Sequence, residues 1–257
     1  MHRYGILSSA KRNVYFRSKN MEKKIRLDKY LADMRIGTRS EVKAFLRKGL
    51  ITVDGAVEKR PELKISPQQT VVCYNGTEIS YTEYEYYMLN KPQGCVSATE
   101  DKQHQTVLDY IPAVRQDLFP VGRLDIDTEG LLLITNDGAL AHHLLSPRHQ
   151  VDKTYYARIR GKVTAEDVAA FAEGLDIGEK TLTRPAKLEI LVSGEISEIH
   201  VTITEGKFHQ VKRMFEAVGK EVLYLKRLSM GALVLDEKLQ PGQCRSLTPE
   251  EIAQLKE

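Results

Sequence analysis

Cysteine is scarce in this chain of 257 residues: there are three, at positions 73, 95 and 244. They are too few and too scattered for a disulfide framework or a CxxC metal knuckle, which favours a reducing, cytoplasmic setting. No stretch approaches the roughly 20 apolar residues of a membrane span, which speaks against an integral membrane protein. Four catalytic signatures are missing as well: the GxxxxGK[ST] phosphate loop, GxGxxG after a strand, HExxH and the GxSxG elbow. Nucleotide hydrolysis, dinucleotide redox chemistry, zinc proteolysis and esterase chemistry all lose support, and neither a cofactor nor a metal is expected. With 42% apolar and 28% charged residues the chain has material for a sizeable core, in one or two domains.

The net charge of +3 conceals an uneven distribution. Residues 1–80 carry 17 Lys and Arg against 8 Asp and Glu, a net of +9, so the other 177 residues carry a net of −6. A basic front end on a slightly acidic body points to a polyanion partner for the front end and a separate task for the body. Residues 1–20 contain five basic residues and no acidic one. They lack the apolar segment of a secretory signal and read as a flexible basic extension, with Met21 as an alternative start.

From Ile25 the chain reads as a compact module. Leu27, Tyr30, Leu31 and Met34 recur at helical spacing, Gly37 stops that helix, and Ser40 is the expected cap of a second helix carrying Val42, Phe45 and Leu46. Ile51–Val53, the turn Asp54-Gly55 and Ala56-Val57 form a hairpin pattern, with a later strand over 70–74. Arg26, Lys29, Arg35, Arg39, Lys43, Arg47 and Lys48 fall outward, a charge stripe suited to a phosphate backbone. The run RLDKYLADMRIGTRSEVKAFLRKGLITVDG resembles the S4 RNA-binding domain, so residues 21–80 are expected to bind structured RNA, with Arg26, Lys29, Arg39, Lys43 and Lys48 as candidate contacts.

Residues 76–84 read as a polar connection. Beyond it, apolar strands near 86–89, 131–135, 155–159, 188–192, 199–204 and 222–225 alternate with helices over 165–173, capped by Thr164, and over 208–218. A last helix opens with a capping box of Thr248 and Glu251. The pattern predicts an α+β domain over 85–257.

The most informative segment is Gly122-Arg123-Leu124-Asp125-Ile126-Asp127-Thr128-Glu129-Gly130, running into Leu131–Leu133. A Gly-bracketed acidic loop ahead of a buried strand sets carboxylates on a rigid support. Were the loop extended, Asp125, Asp127 and Glu129 would share one face and need a cation, but the run lacks the EF-hand pattern and no neighbouring His completes a ligand set. A structural turn is the ordinary alternative. His104, His142, His143, His149 and His209 lack ligand spacing and read as RNA contacts or satisfied structural groups.

This loop resembles the signature of the RsuA/RluB-type ribosomal RNA pseudouridine synthases. Lys153-Thr154-Tyr155 and the block from Glu205 to Phe215 (EGKFHQVKRMF) agree with it in order. The resemblance implies a mixed, mainly antiparallel sheet domain that isomerises uridine in rRNA by breaking the N1–C1′ bond, turning the bound uracil and joining C5 to C1′. It also implies a cytoplasmic monomer that needs neither nucleotide nor nicotinamide. It matches Asp125 to the catalytic aspartate, acting as nucleophile or base at the sugar, where one carboxylate suffices and a glycoside hydrolase normally pairs two. An ionised Asp125 in a site that excludes water requires a nearby cation, and Lys212 is the matching one. Tyr155, rather than Tyr156 on the other strand face, is the expected stacking partner of the extracted base. Arg123 would displace the base or hold a neighbouring phosphate, Arg213 would hold phosphate, and Asp127, Thr128 and Glu129 would shape the loop. Within the family, LLSPRHQVDKTY, TRPAKLEI and EGKFHQVKRMFEAVGKEV are most similar to the small-subunit branch, which implies uridine 516 of 16S rRNA as target. The large-subunit (23S) branch is the alternative, and from other classes a non-catalytic S4 ribosome-assembly factor or a metal-dependent phosphodiesterase.

Overall fold

A computed structural model describes residues 24–257. The basic extension expected over 1–20 and the alternative start at Met21 lie outside the described residues. The chain divides into two compact units, one ending at Tyr81 and the other comprising Thr82–Glu257 with the short segment Asp33–Arg35.

The first unit runs β1 (Ile25–Arg26), α1 (Leu27–Asp33), α2 (Arg39–Arg47), β2 (Ile51–Val53), β3 (Ala56–Val57), β4 (Lys64–Ile65), β5 (Val72–Tyr74) and β6 (Thr77–Glu78). Leu27, Tyr30, Leu31, Val42, Leu46, Ile51 and Val72 are among its buried residues, so the apolar spacing of the helix pair does select the inner face. Three local expectations are corrected. The cap of α2 is Thr38, not Ser40: Thr38 and Glu41 form a capping box, which satisfies amides that Ser40, already inside the helix, cannot reach. The first helix ends at Asp33, ahead of Gly37, because Arg35 turns left-handed at φ 58°. Part of the polar connection is strand: β6 pairs with β5 across Asn75-Gly76, whose φ values of 49° and 80° are those of a tight hairpin turn. The Asp54-Gly55 hairpin forms as expected, pairing Thr52 with Val57 and Val53 with Ala56.

On α2, Arg39, Lys43 and Arg47 are spaced four apart and exposed, with Lys48 exposed just beyond them. Arg26 is tied to the buried Asp28 by two hydrogen bonds of 3.0 and 2.8 Å, which hold the Asp28 carboxyl below its usual range.

The second unit contains β7 (Tyr86–Lys91), β8 (Phe119–Pro120), β9 (Glu129–Thr135), α3 (Gly138–Leu145), β10 (Lys153–Arg160), α4 (Ala165–Glu173), β11 (Lys187–Val192), β12 (Ile196–Ile203), α5 (Gln210–Ala217), β13 (Glu221–Met230), β14 (Leu233–Val234), β15 (Cys244–Ser246) and α6 (Pro249–Gln254). Its nine strands form one mixed sheet in the order β11-β12-β10-β13-β9-β7-β15, with β14 beside β13 and β8 beside β9. The pairings are antiparallel except that of β9 with β13, which is parallel.

The central strands β7 and β9 are buried on both sides, which is why they read as continuous apolar runs. Tyr87, Leu89, Leu132 and Ile134 join a core with Phe171 of α4 and Val211, Met214 and Phe215 of α5. Met88, Leu131 and Leu133 face a second core with Leu140, Ala141 and Leu144 of α3. The parallel joint depends on Gly130, at φ 101°: a Cβ there would lie 2.2 Å from the Arg227 carbonyl oxygen. Among the described residues, no helix is long and apolar enough to cross a membrane. Cys73, Cys95 and Cys244 are free thiols.

Candidate active site

The acidic loop enters β9 through a turn, not as an extended segment: the Thr128 amide donates to the Asp125 carbonyl at 3.1 Å. Three anchors fix it. The Ser97 hydroxyl donates to the Leu124 carbonyl (2.8 Å) and accepts from the Leu124 amide (3.0 Å). The Gly94 amide donates to the Ile126 carbonyl at 2.8 Å. Beneath the turn lies Lys91, the last residue of β7 and 0% exposed. Its Nζ donates to the carbonyls of Asp125 (2.9 Å), Thr128 (2.9 Å) and Pro92 (3.0 Å), with that of Ile126 at 3.4 Å. Burial pushes the Lys91 ammonium below its ordinary value, against the pull of neighbouring acids. One buried cation thus gathers the loop's carbonyls inward.

The Asp125 side chain lines a cleft of about 450 Å³, partly open to solvent. Tyr155, 8% exposed on β10, and Lys212 on α5 line the same cleft, so the structure brings the three residues together. Lys212 Nζ is 3.6 Å from Asp125 Oδ2, and His209 Nε2 is 3.5 Å from Asp125 Oδ1. Lys212 makes shorter bonds to Asp127, at 2.7 and 2.8 Å. Burial works against the charged form of Asp127, yet these bonds hold its carboxyl below the usual range. Glu129 turns away and accepts from the Tyr224 hydroxyl at 2.6 Å. The three acids of the loop therefore do not converge, and among the described residues no group of three or more His, Cys, Asp or Glu is placed to hold a metal.

The contrast between the two nearer acids matters chemically. Both oxygens of Asp127 are engaged by short charged hydrogen bonds, whereas Asp125 has Lys212 and His209 beside it but accepts no hydrogen bond on its side chain among the described residues. Its lone pairs are free to meet a substrate.

Tyr156 occupies the opposite strand face, edge-on to Tyr224 at 6.1 Å between ring centroids. Arg123 lies exposed at the rim of the cleft, without an ion pair among the described residues. Arg213 is spent inside the fold: its guanidinium donates to Glu179 (2.8 Å), to the Phe208 carbonyl (3.1 Å) and to the Ile177 carbonyl. The helix expected over 208–218 begins at Gln210, because His209 is left-handed at φ 48°. Phe208 consequently leaves the apolar face assigned to it and stands 73% exposed. Met214 takes its place in the core with Val211 and Phe215.

Sequence reasoning overlooked three contributors. Lys91 reads as an ordinary charge at the end of an apolar strand. His209 reads as an RNA contact or a satisfied structural group, although its neighbour is the Asp125 carboxylate. Gln210 is buried and braces the loop before α5, accepting from the Lys207 amide (2.9 Å) and donating to Glu205 (3.0 Å).

Comparison with known proteins gives the family. The RNA pseudouridylate synthase family profile matches residues 85–217, and the S4 domain profile matches residues 25–71. An RNA pseudouridine synthase of Bacillus subtilis, YtzG, described as uncharacterized, is 48% identical over 236 residues, covering 91% of this chain and 99% of that protein. The ribosomal small subunit pseudouridine synthase A of Salmonella typhimurium is 43% identical over 232 residues, covering 89% and 99%. The enzyme of the same name from Escherichia coli K12 is 41% identical over 232 residues, with the same coverage. A crystal structure of a pseudouridylate synthase superposes with a TM-score of 0.63 at 40% identity, covering 90% of this chain and 99% of that one. Profile, full-length relatives and superposed fold agree, and the chain belongs to the RNA pseudouridine synthases, isomerases of uridine in RNA, with an S4 domain at its front.

Proposed function

We propose that the protein isomerises one uridine of small-subunit ribosomal RNA, uridine 516 of 16S rRNA in the standard bacterial numbering, with Asp125 as the reacting carboxylate. The substrate assignment draws on relatives named for the ribosomal small subunit, at 41–43% identity over nearly their whole length. A ribosomal target of this kind implies a cytoplasmic enzyme. A monomer suffices in this reading, because Asp125, Tyr155 and Lys212 belong to one chain.

In this reading the S4 unit docks the RNA through Arg39, Lys43 and Lys48 on and after α2, with Arg26 and Lys29 beside them. The target uridine leaves its stack and enters the cleft, where Tyr155 offers the ring a flat face. Arg123 at the rim replaces the base in the RNA or pairs with a flanking phosphate. Asp125 attacks C1′ or removes a proton from the sugar, and the N1–C1′ bond breaks. The uracil turns while bound, and C5 joins C1′ as the Asp125–C1′ bond breaks or as the proton taken from the sugar returns. N1 takes up a proton, C5 loses one, and the reaction balances without oxidant, reductant or energy input. Lys212, held by Asp127, keeps a positive charge beside the reacting carboxylate. Arg213, engaged within the fold, supports the loop before α5 and is not counted among the RNA contacts.

The observation that carries the reading is the unengaged Asp125 carboxylate between Lys212 and His209 in a cleft walled by Tyr155. Mapping pseudouridine in rRNA from cells with and without the gene tests it. Loss of one small-subunit mark is the expected result. An unchanged small-subunit pattern, or a lost large-subunit mark, would overturn the assignment.

A further inference from the structure

Phe208 is the most exposed large apolar side chain among the described residues, at 73%. The exposure is built, not loose. Gln210 holds the Lys207 amide at 2.9 Å, Lys207 Nζ donates to the carbonyls of Thr181 and Leu182 at 3.1 Å each, and Arg213 holds the Phe208 carbonyl at 3.1 Å. His209 then adopts a left-handed backbone, uncommon for a residue with a side chain. As a result the Phe208 ring stacks on the His209 ring, with centroids 3.8 Å apart and an interplanar angle of 18°. His209 lines the cleft and its Nε2 reaches Asp125 at 3.5 Å, so the Phe208 ring is stacked on a residue that touches the reacting carboxylate. Its other face is open to solvent.

We infer that the Phe208–His209 pair is a second stacking platform, and that its outer face receives the nucleobase next to the extracted uridine. The inference rests on reading the Asp125 cleft as the uridine site. Extraction strips the neighbouring base of a stacking partner. A flat apolar ring stacked on the cleft-lining His209 replaces that partner, and stacking on an aromatic ring suits any base. Lys207 and Arg123 line the same cleft and supply the positive charge that the accompanying phosphates require. Tyr155 thus grips the uracil inside, while Phe208 holds its neighbour outside.

The test uses the full-length protein and 5-tritiated total RNA from cells lacking the gene, with tritium release followed under single-turnover conditions. Phe208→Leu is expected to raise the protein concentration for half-maximal rate about tenfold, within the range for loss of one base–aromatic stack, and to leave the limiting rate within about twofold. Phe208→Tyr and Phe208→Trp should restore the original concentration. A photoreactive p-benzoylphenylalanine at position 208 should crosslink to the nucleotide adjacent to the new pseudouridine. Unchanged half-saturation in Phe208→Leu, or crosslinks confined to protein or to distant RNA, would overturn the platform. The substrate reading fails separately: tritium released from large-subunit RNA would move the target while the Phe208 readouts still apply. Retained release by Asp125→Ala, run in parallel, would overturn the reading of the cleft, and the crosslink would then show whether Phe208 still lies beside the modified base.

Discussion

Replacing Lys91 with methionine keeps the length of the side chain and removes the ammonium that gathers the Asp125 turn. Three carbonyls, of Asp125, Thr128 and Pro92, lose a charged donor at 2.9–3.0 Å. Hydrogen bonds to charged groups contribute about 1.5–3 kcal/mol each, and an unsatisfied buried acceptor costs about 1–3 kcal/mol. Against this stands the cost of burying Lys91 itself, visible in its depressed pKa. A net loss of about 3–5 kcal/mol follows, in line with removing one partner of a buried charged arrangement. For a unit of this size that lowers Tm by roughly 6–20 °C. Ser97 and Gly94 still hold Leu124 and Ile126, so the fold survives and the turn shifts. A displacement of about 1 Å at Asp125 is worth roughly 100-fold in rate. Single-turnover tritium release should therefore fall about 100-fold or more in Lys91→Met, while RNA affinity by filter binding stays within about threefold. A variant with lowered Tm and the wild-type rate would refute the reasoning, because the turn would then keep its geometry without the cation.

Three further outcomes follow from other parts of the molecule. Burial, with Arg227 nearby, lowers the Lys153 ammonium from 10.5 to about 8. Between those values the unfolded chain binds the extra proton, so this group contributes stability that rises with pH from about 8 to 10.5, by about 3 kcal/mol in all. Urea titrations across pH 7–10 should show wild type gaining most of that amount relative to Lys153→Met as the pH rises, and parallel curves or a relative loss would contradict the assignment. Gly130→Ala drives a Cβ to 2.2 Å from the Arg227 carbonyl and should cost about 4 kcal/mol or more in urea unfolding; an unchanged midpoint would show that the β9–β13 joint tolerates a side chain. Arg39→Gln and Lys43→Gln should each reduce the salt slope of RNA binding by about one and leave the limiting rate alone, and unaltered slopes would remove α2 from the RNA interface.

Much of the architecture was written locally. The doubly buried strands β7 and β9 announce themselves as apolar runs, the Thr164 and Thr248 capping boxes mark helix starts, and Asp54-Gly55 marks its hairpin. Asn75-Gly76 carried the same hairpin signal but lay in a polar stretch that reads as linker. The helix α3 was missed because Gly138 opens it and because Asn136-Asp137-Gly138 resembles a loop; the cap is the Asp137 side chain, which accepts from the Leu140 amide. Asp125, Tyr155 and Lys212 were legible through ordered motifs, and their convergence at one cleft depends on strands far apart in the chain. Lys91 was illegible, since a buried cation whose partners are backbone carbonyls leaves no acidic counterpart in the sequence. The outward turn of Phe208 was hidden as well, because an apolar residue at helical spacing reads as core until the left-handed His209 breaks the helix ahead of it.

The central claim, that Asp125 rather than its neighbour Asp127 carries the reaction, is tested most directly by the two isosteric amides in single-turnover tritium release. Asp125→Asn should abolish release, a fall of at least about 1,000-fold, with RNA binding intact. Asp127→Asn, which frees Lys212 from its shorter bonds, should stay within about tenfold of wild type. Release by Asp125→Asn at a rate near that of the wild type, or a loss confined to Asp127→Asn, would contradict the account.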